Sequence, residues 1–353
     1  MSIWDNYPVD YRHNEVRAVI SAAESGECVS LAGLSGAGKS NVMGYIAHRS
    51  HSDRCRFILV DCNRIQVDSP DGFYHLVTQC LGDQHVMPDA YTHLDHIIGQ
   101  DIKSTGNVLC LLFDRFDSLF SFATPVLFSN LRALRDNHKY SLSYVVSTRH
   151  LFNTSSELAE LFYANVVWLG TLSDSDACWS VEQYASRKGQ QWDRYAKDEL
   201  IALTRGYPSF LRAACEAYAT GTPLALQAVL DHPAMKLRLE EFLADQPSEE
   251  EIKLSRLEHL PLLSFSRSDP VDTSRLTSKE HLLLLYFQAH AGITCEKDDL
   301  IRAVWPEDQI LGRGLRDDSL AQLVRRLREK IEIDPSTPLH IQTIPSRGYR
   351  FKS

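Results

Sequence analysis

The sequence predicts an α/β architecture: a parallel sheet wrapped by helices, then a helical stretch, then a small module of helices ending in a hairpin. Three observations predict it. Short apolar runs of strand length alternate with amphipathic stretches through the first half of the chain. A glycine-rich octapeptide, Gly33-Leu34-Ser35-Gly36-Ala37-Gly38-Lys39-Ser40, falls between the first such run and a helical segment. From Thr277 onward the pattern changes, with helical spacing giving way to two short alternating runs around a turn at Pro345 to Gly348.

Composition sets the outer limits. The chain has 353 residues, room for about two or three domains with cores of their own. Hydrophobic residues make up 44% and charged residues 24%, a globular balance that excludes a wholly disordered or collagen-like chain. The apolar run from His281 to Cys295 is too short to span a bilayer, so no membrane helix is expected. The opening MSIWDNYPVDYR lacks a basic start followed by an apolar stretch, and the expected location is the cytoplasm. The 8 cysteines include no C-x-x-C pair, which suits reduced thiols better than a disulfide framework or a zinc ribbon.

Charge is unevenly spread. The 37 Lys and Arg against 46 Asp and Glu give a net charge of -9, which argues against a protein that coats nucleic acid with its whole surface. From Val271 to the end the count is 13 basic against 12 acidic, and from Arg313 it is 9 against 5. Any nucleic-acid contact is therefore to be sought at the C-terminal end.

Taken in order, Cys28 to Ala32, Phe57 to Asp61, Val108 to Asp114 and Leu142 to Thr148 read as buried strands, with Asn165 to Gly170 as a fifth. From Ser173 the pattern is helical, Ser173 and Asp176 being spaced as a capping box, and it stays helical to about Leu263. Ser264 to Ser274 is polar and contains Pro270, as a linker would. The chain thus divides into an α/β domain (1–172), a helical lid (173–263), a linker (264–275) and a terminal module (276–353).

The octapeptide satisfies G-x-x-x-x-G-K-[ST], and chemistry explains its spacing. Backbone N–H groups of Gly33, Ser35, Gly36, Ala37 and Gly38 can turn toward phosphate oxygens, Lys39 neutralises the β and γ phosphates, and the Ser40 hydroxyl ligates Mg²⁺. A helix from Lys39 to His48 supplies the positive end that phosphate binding requires. The run Val108 to Phe113 ends in Asp114, followed by Arg115, Phe116 and Asp117. A carboxylate at an adjacent strand tip can hold the Mg²⁺ shell, the role given to Asp114. Asp117 has two roles open, orienting the attacking water or capping the next helix.

Over residues 5 to 220 the chain resembles the STAND class of P-loop ATPases, relatives of the AAA+ and origin-recognition ATPases. The glycine loop and LLFDRFD carry the resemblance, with Tyr144-Val145-Val146-Ser147-Thr148-Arg149, VVWLGTLSDSDA and Gly206-Tyr207-Pro208. It implies a P-loop NTPase parallel sheet with a helical lid, ATP with Mg²⁺ as cofactors, Arg149 as a γ-phosphate sensor and Pro208 against the adenine. On the residues alone, Arg149 could instead pair with a carboxylate, and Gly206 and Pro208 could stop and restart a helix. The family's Gly-Arg-Glu-like signature has no glycine here, where Tyr11-Arg12-His13-Asn14-Glu15 stands in its place.

In the terminal module, Thr277-Ser278-Lys279-Glu280 is a capping box that opens the apolar helix HLLLLYF. A second helix is expected over Lys297 to Val304, ending near Trp305 and Pro306, and a third over Ser319 to Ile331. Leu320, Leu323, Val324, Leu327 and Ile331 share one face of the third, leaving Gln322, Arg325 and Arg326 opposite, with Arg328 on the flank. Asp317 and Asp318 are expected just ahead of it. Such a face can enter a major groove, where Arg reads guanine and Gln reads adenine, or it can be simply a solvated surface. Leu339 to Thr343 and Tyr349 to Phe351 form a hairpin with Arg347 at its tip.

LTSKEHLLLLYF, DDLIRAVW, LVRRLREKI and IQTIPSRGYRF resemble the winged helix-turn-helix domain of the OmpR/PhoB transcription factors. The resemblance implies double-stranded DNA as partner, with Gln322, Arg325 and Arg326 on the recognition helix, Arg328 at phosphate and Arg347 in the wing. That family usually has a small sheet before its first helix, and only the residues after Leu263 are available for one here.

The expectation is an ATP-dependent switch that regulates transcription, with slow ATP hydrolysis, an unknown inducing signal and nucleotide-dependent self-association. Alternatives are a DNA-remodelling or loader ATPase and an oligomerising STAND defence sensor. His48, His51, Cys55 and Cys62, with the His93-x-x-His96 spacing, have residue types that bind metals, but Cys62 lies at the end of an expected strand and the His pairs sit in polar connecting segments, so no structural metal is expected.

Overall fold

The computed structural model describes residues 3–152, 159–258, 260, 262–263, 276–290, 292–304, 313–332, 335–345 and 347–352. The chain forms two compact units, Met1–Leu262 and Leu263–Ser353. The expected linker at 264–275, the helix end at Trp305 and Pro306, and Ser346 of the hairpin turn lie outside the described residues.

Five strands organise the first unit: β1 Val29–Ala32, β2 Cys55–Asp61, β3 Val108–Asp114, β4 Leu142–Thr148 and β5 Val166–Trp168. All pair in parallel, in the order β2-β3-β4-β1-β5. This is the parallel sheet expected of a P-loop NTPase. β3 and β4 have the bounds expected from their apolar runs, β2 begins two residues sooner than Phe57, and β5 is shorter than Asn165 to Gly170. Every residue of β1 and β4 is buried, Ser30, Ser143, Ser147 and Thr148 included, as in central strands covered on both faces. β2 and β5 lie at the edges and are only partly buried.

Register fixes where chemistry can occur. Leu31 stands beside Ser147 and Ala32 beside Thr148, while Asp61 stands beside Asp114. Since all five strands run the same way, the ends of β1, β3 and β4 lie along one edge, where parallel sheets present their ligand sites. Phe73, Val77, Leu94, Ile98, Phe113 and Tyr144 share a core on one side of this sheet. The helices that carry the first four of those residues, Pro70–Cys80 and Ala90–Thr105, are capped by Ser69 and Asp89.

The rest of this unit is helical, with Asp174–Arg187, Arg194–Thr204, Pro208–Ala219 and Pro233–Ala244 as its longer helices. Ser173 accepts the Asp176 N–H at 3.1 Å, as a capping box requires. The Asp176 carboxylate, however, accepts from the Ser173 hydroxyl and from the Arg12 backbone N–H at 3.2 Å. The cap is thereby tied to the amino-terminal segment.

The second unit has the winged-helix arrangement. Its helices are Ser278–Ala289, Lys297–Val304 and Arg313–Ile331, and its strands are β6 Thr294–Glu296, β7 Ile341–Ile344 and β8 Gly348–Phe351. The strands pair antiparallel in the order β6-β8-β7. Leu283, Phe287, Leu300, Leu323, Leu327 and Phe351 are among its core residues. Two expectations are corrected. β6 completes a three-stranded sheet where only a hairpin was expected, and the third helix starts at Arg313, so Asp317 and Asp318 lie inside it and not ahead of it.

The Thr277–Glu280 capping box forms, and Glu280 also accepts from Lys330 of the third helix at 2.6 Å. Among the described residues, no helix is long and apolar enough to cross a membrane.

Candidate nucleotide site and nucleic-acid interface

Gly33 leaves the end of β1, its N–H donating to the Thr148 carbonyl at 3.1 Å. Gly36 and Gly38 sit at φ 83° and 91°, a left-handed backbone that strains any other residue. A Cβ at Gly36 would also collide with Ser209. Lys39 opens the helix Lys39–Arg49, with Ser40 beside it, and its ammonium donates to the carbonyls of Gly33 and Leu34. Burial lowers the Lys39 pKa to about 8, against the pull of Asp117, Asp245 and Asp114.

The buried Asp114 carboxylate accepts the Ser147 hydroxyl proton at 2.8 Å, and that hydroxyl accepts the Arg115 N–H at 2.7 Å. Asp117 accepts the Arg149 backbone N–H at 2.9 Å, and burial raises its pKa. The next helix, Pro125–Asn137, is capped by Thr124. Asp117 itself lies in the first turn of a 3-10 helix, Phe116–Ser121, whose N-cap position is Arg115, so it caps neither segment. The Arg149 guanidinium is half exposed and lies 3.7 Å from Asp117 and 3.3 Å from Asp245.

Pro208 begins its helix against the loop, close to the space above Gly38. Tyr207 donates its hydroxyl to the Ser35 carbonyl at 2.8 Å, and the Ser209 N–H donates to the Gly36 carbonyl at 3.1 Å. Beside the loop is a cavity of about 450 Å³ lined by Tyr7, Tyr11, Asn41, Trp179, Gln183 and Pro208. The Tyr7 and Trp179 ring centroids are 4.6 Å apart.

Sequence reasoning missed several of these residues. Tyr7, Trp179 and Asp245 carry no motif, and Ser147 stands inside the run from Tyr144 to Arg149 with no role implied for it. Arg12 was named only for its departure from the family signature, yet its buried guanidinium donates to the Ala37 and Gly170 carbonyls, each at 2.9 Å. It fastens the back of the loop to the chain beyond β5. We expect Arg12→Ala to lower unfolding stability by about 3 kcal/mol, as loss of a buried charged hydrogen-bonding group does. Denaturant midpoints of the two proteins check this.

The donor set fits a triphosphate with Mg²⁺. Two glycines keep the cradle free of Cβ atoms, an ammonium stands at its helix end, and a hydroxyl and a carboxylate, Ser40 and Asp114, are the kinds of oxygen that Mg²⁺ takes.

On the second unit, Gln322, Arg325 and Arg326 are exposed on one helix, opposite the buried Leu320, Leu323, Val324 and Leu327. Arg347 is exposed at the hairpin turn. Arg328 is placed differently from its expected phosphate contact. Its guanidinium donates to the Ile341 carbonyl at 2.6 Å and to the Thr343 hydroxyl at 2.9 Å, and lies over the Tyr349 ring. Its flank position faces the strands of the wing, so it braces them. A second brace went unseen in the sequence: Glu332 accepts the N–H groups of Leu339, His340 and Ile341.

Sheet order, glycine cradle and terminal sheet together define a P-loop NTPase-type α/β unit joined to a winged helix. Residues 272–351 match the family model of the transcriptional regulatory protein C-terminal domain, and this segment is a domain of that family.

Among curated proteins, the sensory transduction protein RegX3 of Mycobacterium tuberculosis is 36% identical over 81 residues, 23% of this chain and 34% of its own length. The transcriptional regulatory protein YvrH of Bacillus subtilis is 41% identical over 71 residues, 20% of this chain and 27% of its own. The chain thus spans about a third of the length of the curated relatives it matches. Among solved structures, the Walker-type ATPase PABY2304 of Pyrococcus abyssi aligns with TM-score 0.46 at 12% identity, covering 96% of this chain and 92% of that one. The ORC2 protein of Aeropyrum pernix aligns with TM-score 0.44 at 14% identity, covering 96% and 88%.

Proposed function

We propose that the chain is an ATP-dependent switch that regulates transcription through its C-terminal winged helix. One observation carries this reading: a chain with a transcriptional regulatory C-terminal domain also has a glycine cradle, Lys39 and Asp114 gathered at one sheet edge. The backbone from Gly33 to Gly38 would hold the phosphates, Lys39 would neutralise them, and Ser40 with Asp114 would hold Mg²⁺. The bound metal supplies charge neutralisation at the transferring phosphoryl oxygens. Asp117 would orient water for slow hydrolysis, Arg149 would sense the terminal phosphate, and Pro208 with the aromatic cavity would take the base. Gln322, Arg325 and Arg326 would read a major groove, and Arg347 a minor groove.

The test is duplex-DNA affinity of the full chain with saturating ATP and Mg²⁺ against ADP and Mg²⁺. A switch requires a difference, expected at about tenfold, because a ligand moves an equilibrium only through differential affinity. Equal DNA affinity with both nucleotides bound would end this reading.

Lys39 adds a pH signature. Its pKa is lowered to about 8, and a bound phosphate favours the charged form, so binding takes up protons and weakens as pH rises through that value. Calorimetry at pH 8 in buffers of differing ionisation enthalpy should show uptake of about half a proton per site. The uptake should vanish in Lys39→Arg, which stays charged.

A further inference from the structure

The cradle that fits a phosphate is engaged by an anion of the chain itself. Asp245 directly follows the helix Pro233–Ala244, and its side chain is 1% exposed. One carboxylate oxygen accepts the Ser35 N–H at 2.6 Å and the other lies 3.3 Å from the Arg149 guanidinium. Its charge is also felt by Lys39. Ser35, Lys39 and Arg149 are the groups to which the proposed function assigns the phosphates. A carboxylate and a phosphate compete for them, since both are anions seeking the same donors in a site largely shielded from water.

Asp245 also begins a strap. Glu251, locked in a capping box with Ser248, pairs with His150 at 2.8 Å. The Ser255 hydroxyl accepts the Trp168 indole N–H at 3.0 Å, and the Ser255 carbonyl accepts the Thr171 N–H at 3.3 Å. Residues 245–255 are therefore fastened along the edge of the sheet that carries the cradle, from the phosphate loop past β4 to β5. In sequence, this strap lies just ahead of the expected linker to the DNA-binding domain.

We propose that Asp245 is an internal ligand of the phosphate loop, displaced when a nucleotide phosphate binds, and that its displacement frees the 245–255 strap. The proposal rests on the reading that the loop binds ATP. A latch closed nine times in ten lowers the apparent nucleotide affinity about tenfold. Charge is the key property, because Asp245→Asn keeps the size and can still accept the Ser35 N–H.

The experiment uses the full chain. ATP affinity in Mg²⁺ is measured by calorimetry for wild type, Asp245→Asn and Lys39→Ala, and amide hydrogen exchange of residues 245–255 is followed in wild type with and without saturating ATP and Mg²⁺. The expected results are about tenfold tighter binding in Asp245→Asn and faster exchange across the strap in the loaded wild type. Exchange requires no substitution, so it stands even if the variant folds poorly. Equal affinity in wild type and Asp245→Asn overturns the latch while leaving ATP binding intact. Weaker binding in Asp245→Asn overturns it too, and makes Asp245 a ligand of the nucleotide's metal. Unchanged or slower strap exchange in the loaded wild type overturns it as well. ATP binding by none of the three proteins removes the nucleotide reading and the latch with it.

Discussion

Lys39→Ala is expected to weaken ATP binding in Mg²⁺ by about a hundredfold or more while the protein remains folded. The magnitude follows from losing a charge-assisted contact to phosphate, about 3 kcal/mol in a largely buried site. The second half follows from the cradle itself. A Lys whose pKa falls from 10.5 to about 8 is held charged at neutral pH against its surroundings, and removing it relieves that penalty. The sign is clear from linkage: the unfolded chain binds more protons at this position than the folded one between those two values. Stability therefore rises with pH across that window, and below it the buried ammonium opposes folding. Calorimetric titration with ATP and a thermal unfolding scan check the two halves together. Unchanged ATP affinity in a folded Lys39→Ala protein would remove the nucleotide role.

Replacing Arg325 and Arg326 together by Ala is expected to weaken specific duplex binding by about a hundredfold or more, at about 1–3 kcal/mol for each lost base contact. Arg325 is 81% exposed and pairs with Glu329 at 3.0 Å, four residues along the same helix. An exposed pair of that kind holds the side chain only weakly, so the guanidinium is free to turn to a base. Arg328→Ala is expected to behave differently. Its guanidinium binds the Ile341 carbonyl, so its loss should lower the stability of the terminal unit by about 2 kcal/mol. DNA titrations across a salt series, beside unfolding curves for each variant, separate the two effects. Equal DNA affinity in wild type and the double variant would move the reading face elsewhere.

The parts of this molecule that were legible in its sequence are those whose signals are local. β3 could be bounded to the residue because it is an unbroken apolar run ended by Asp114, and β4 because its β-branched and aromatic stretch is short and closes at Thr148 followed by Arg149. The phosphate cradle was legible because its glycines, Lys39 and Ser40 are neighbours in the chain. β6 was not, since three residues become a strand only through pairing with β8. The third helix starts sooner than expected because the adjacent Asp317 and Asp318 suggest a boundary and the helix continues through them. Asp245 was invisible for a different reason: the N–H it accepts lies 210 positions away. Arg12 reaches carbonyls 25 and 158 positions distant. No window of sequence contains both ends of such a contact.

The amino-terminal dozen residues have a practical consequence. Trp4 packs so closely over Gly44 that a Cβ there has no room, Tyr7 and Tyr11 wall the cavity, and Arg12 grips the loop from behind. All of them precede the first strand, in a stretch that a laboratory would readily trim or fuse to a purification tag. A protein shortened to begin at His13, where the helix His13–Glu24 starts, would keep every recognisable signature and lose one side of the chamber those signatures serve.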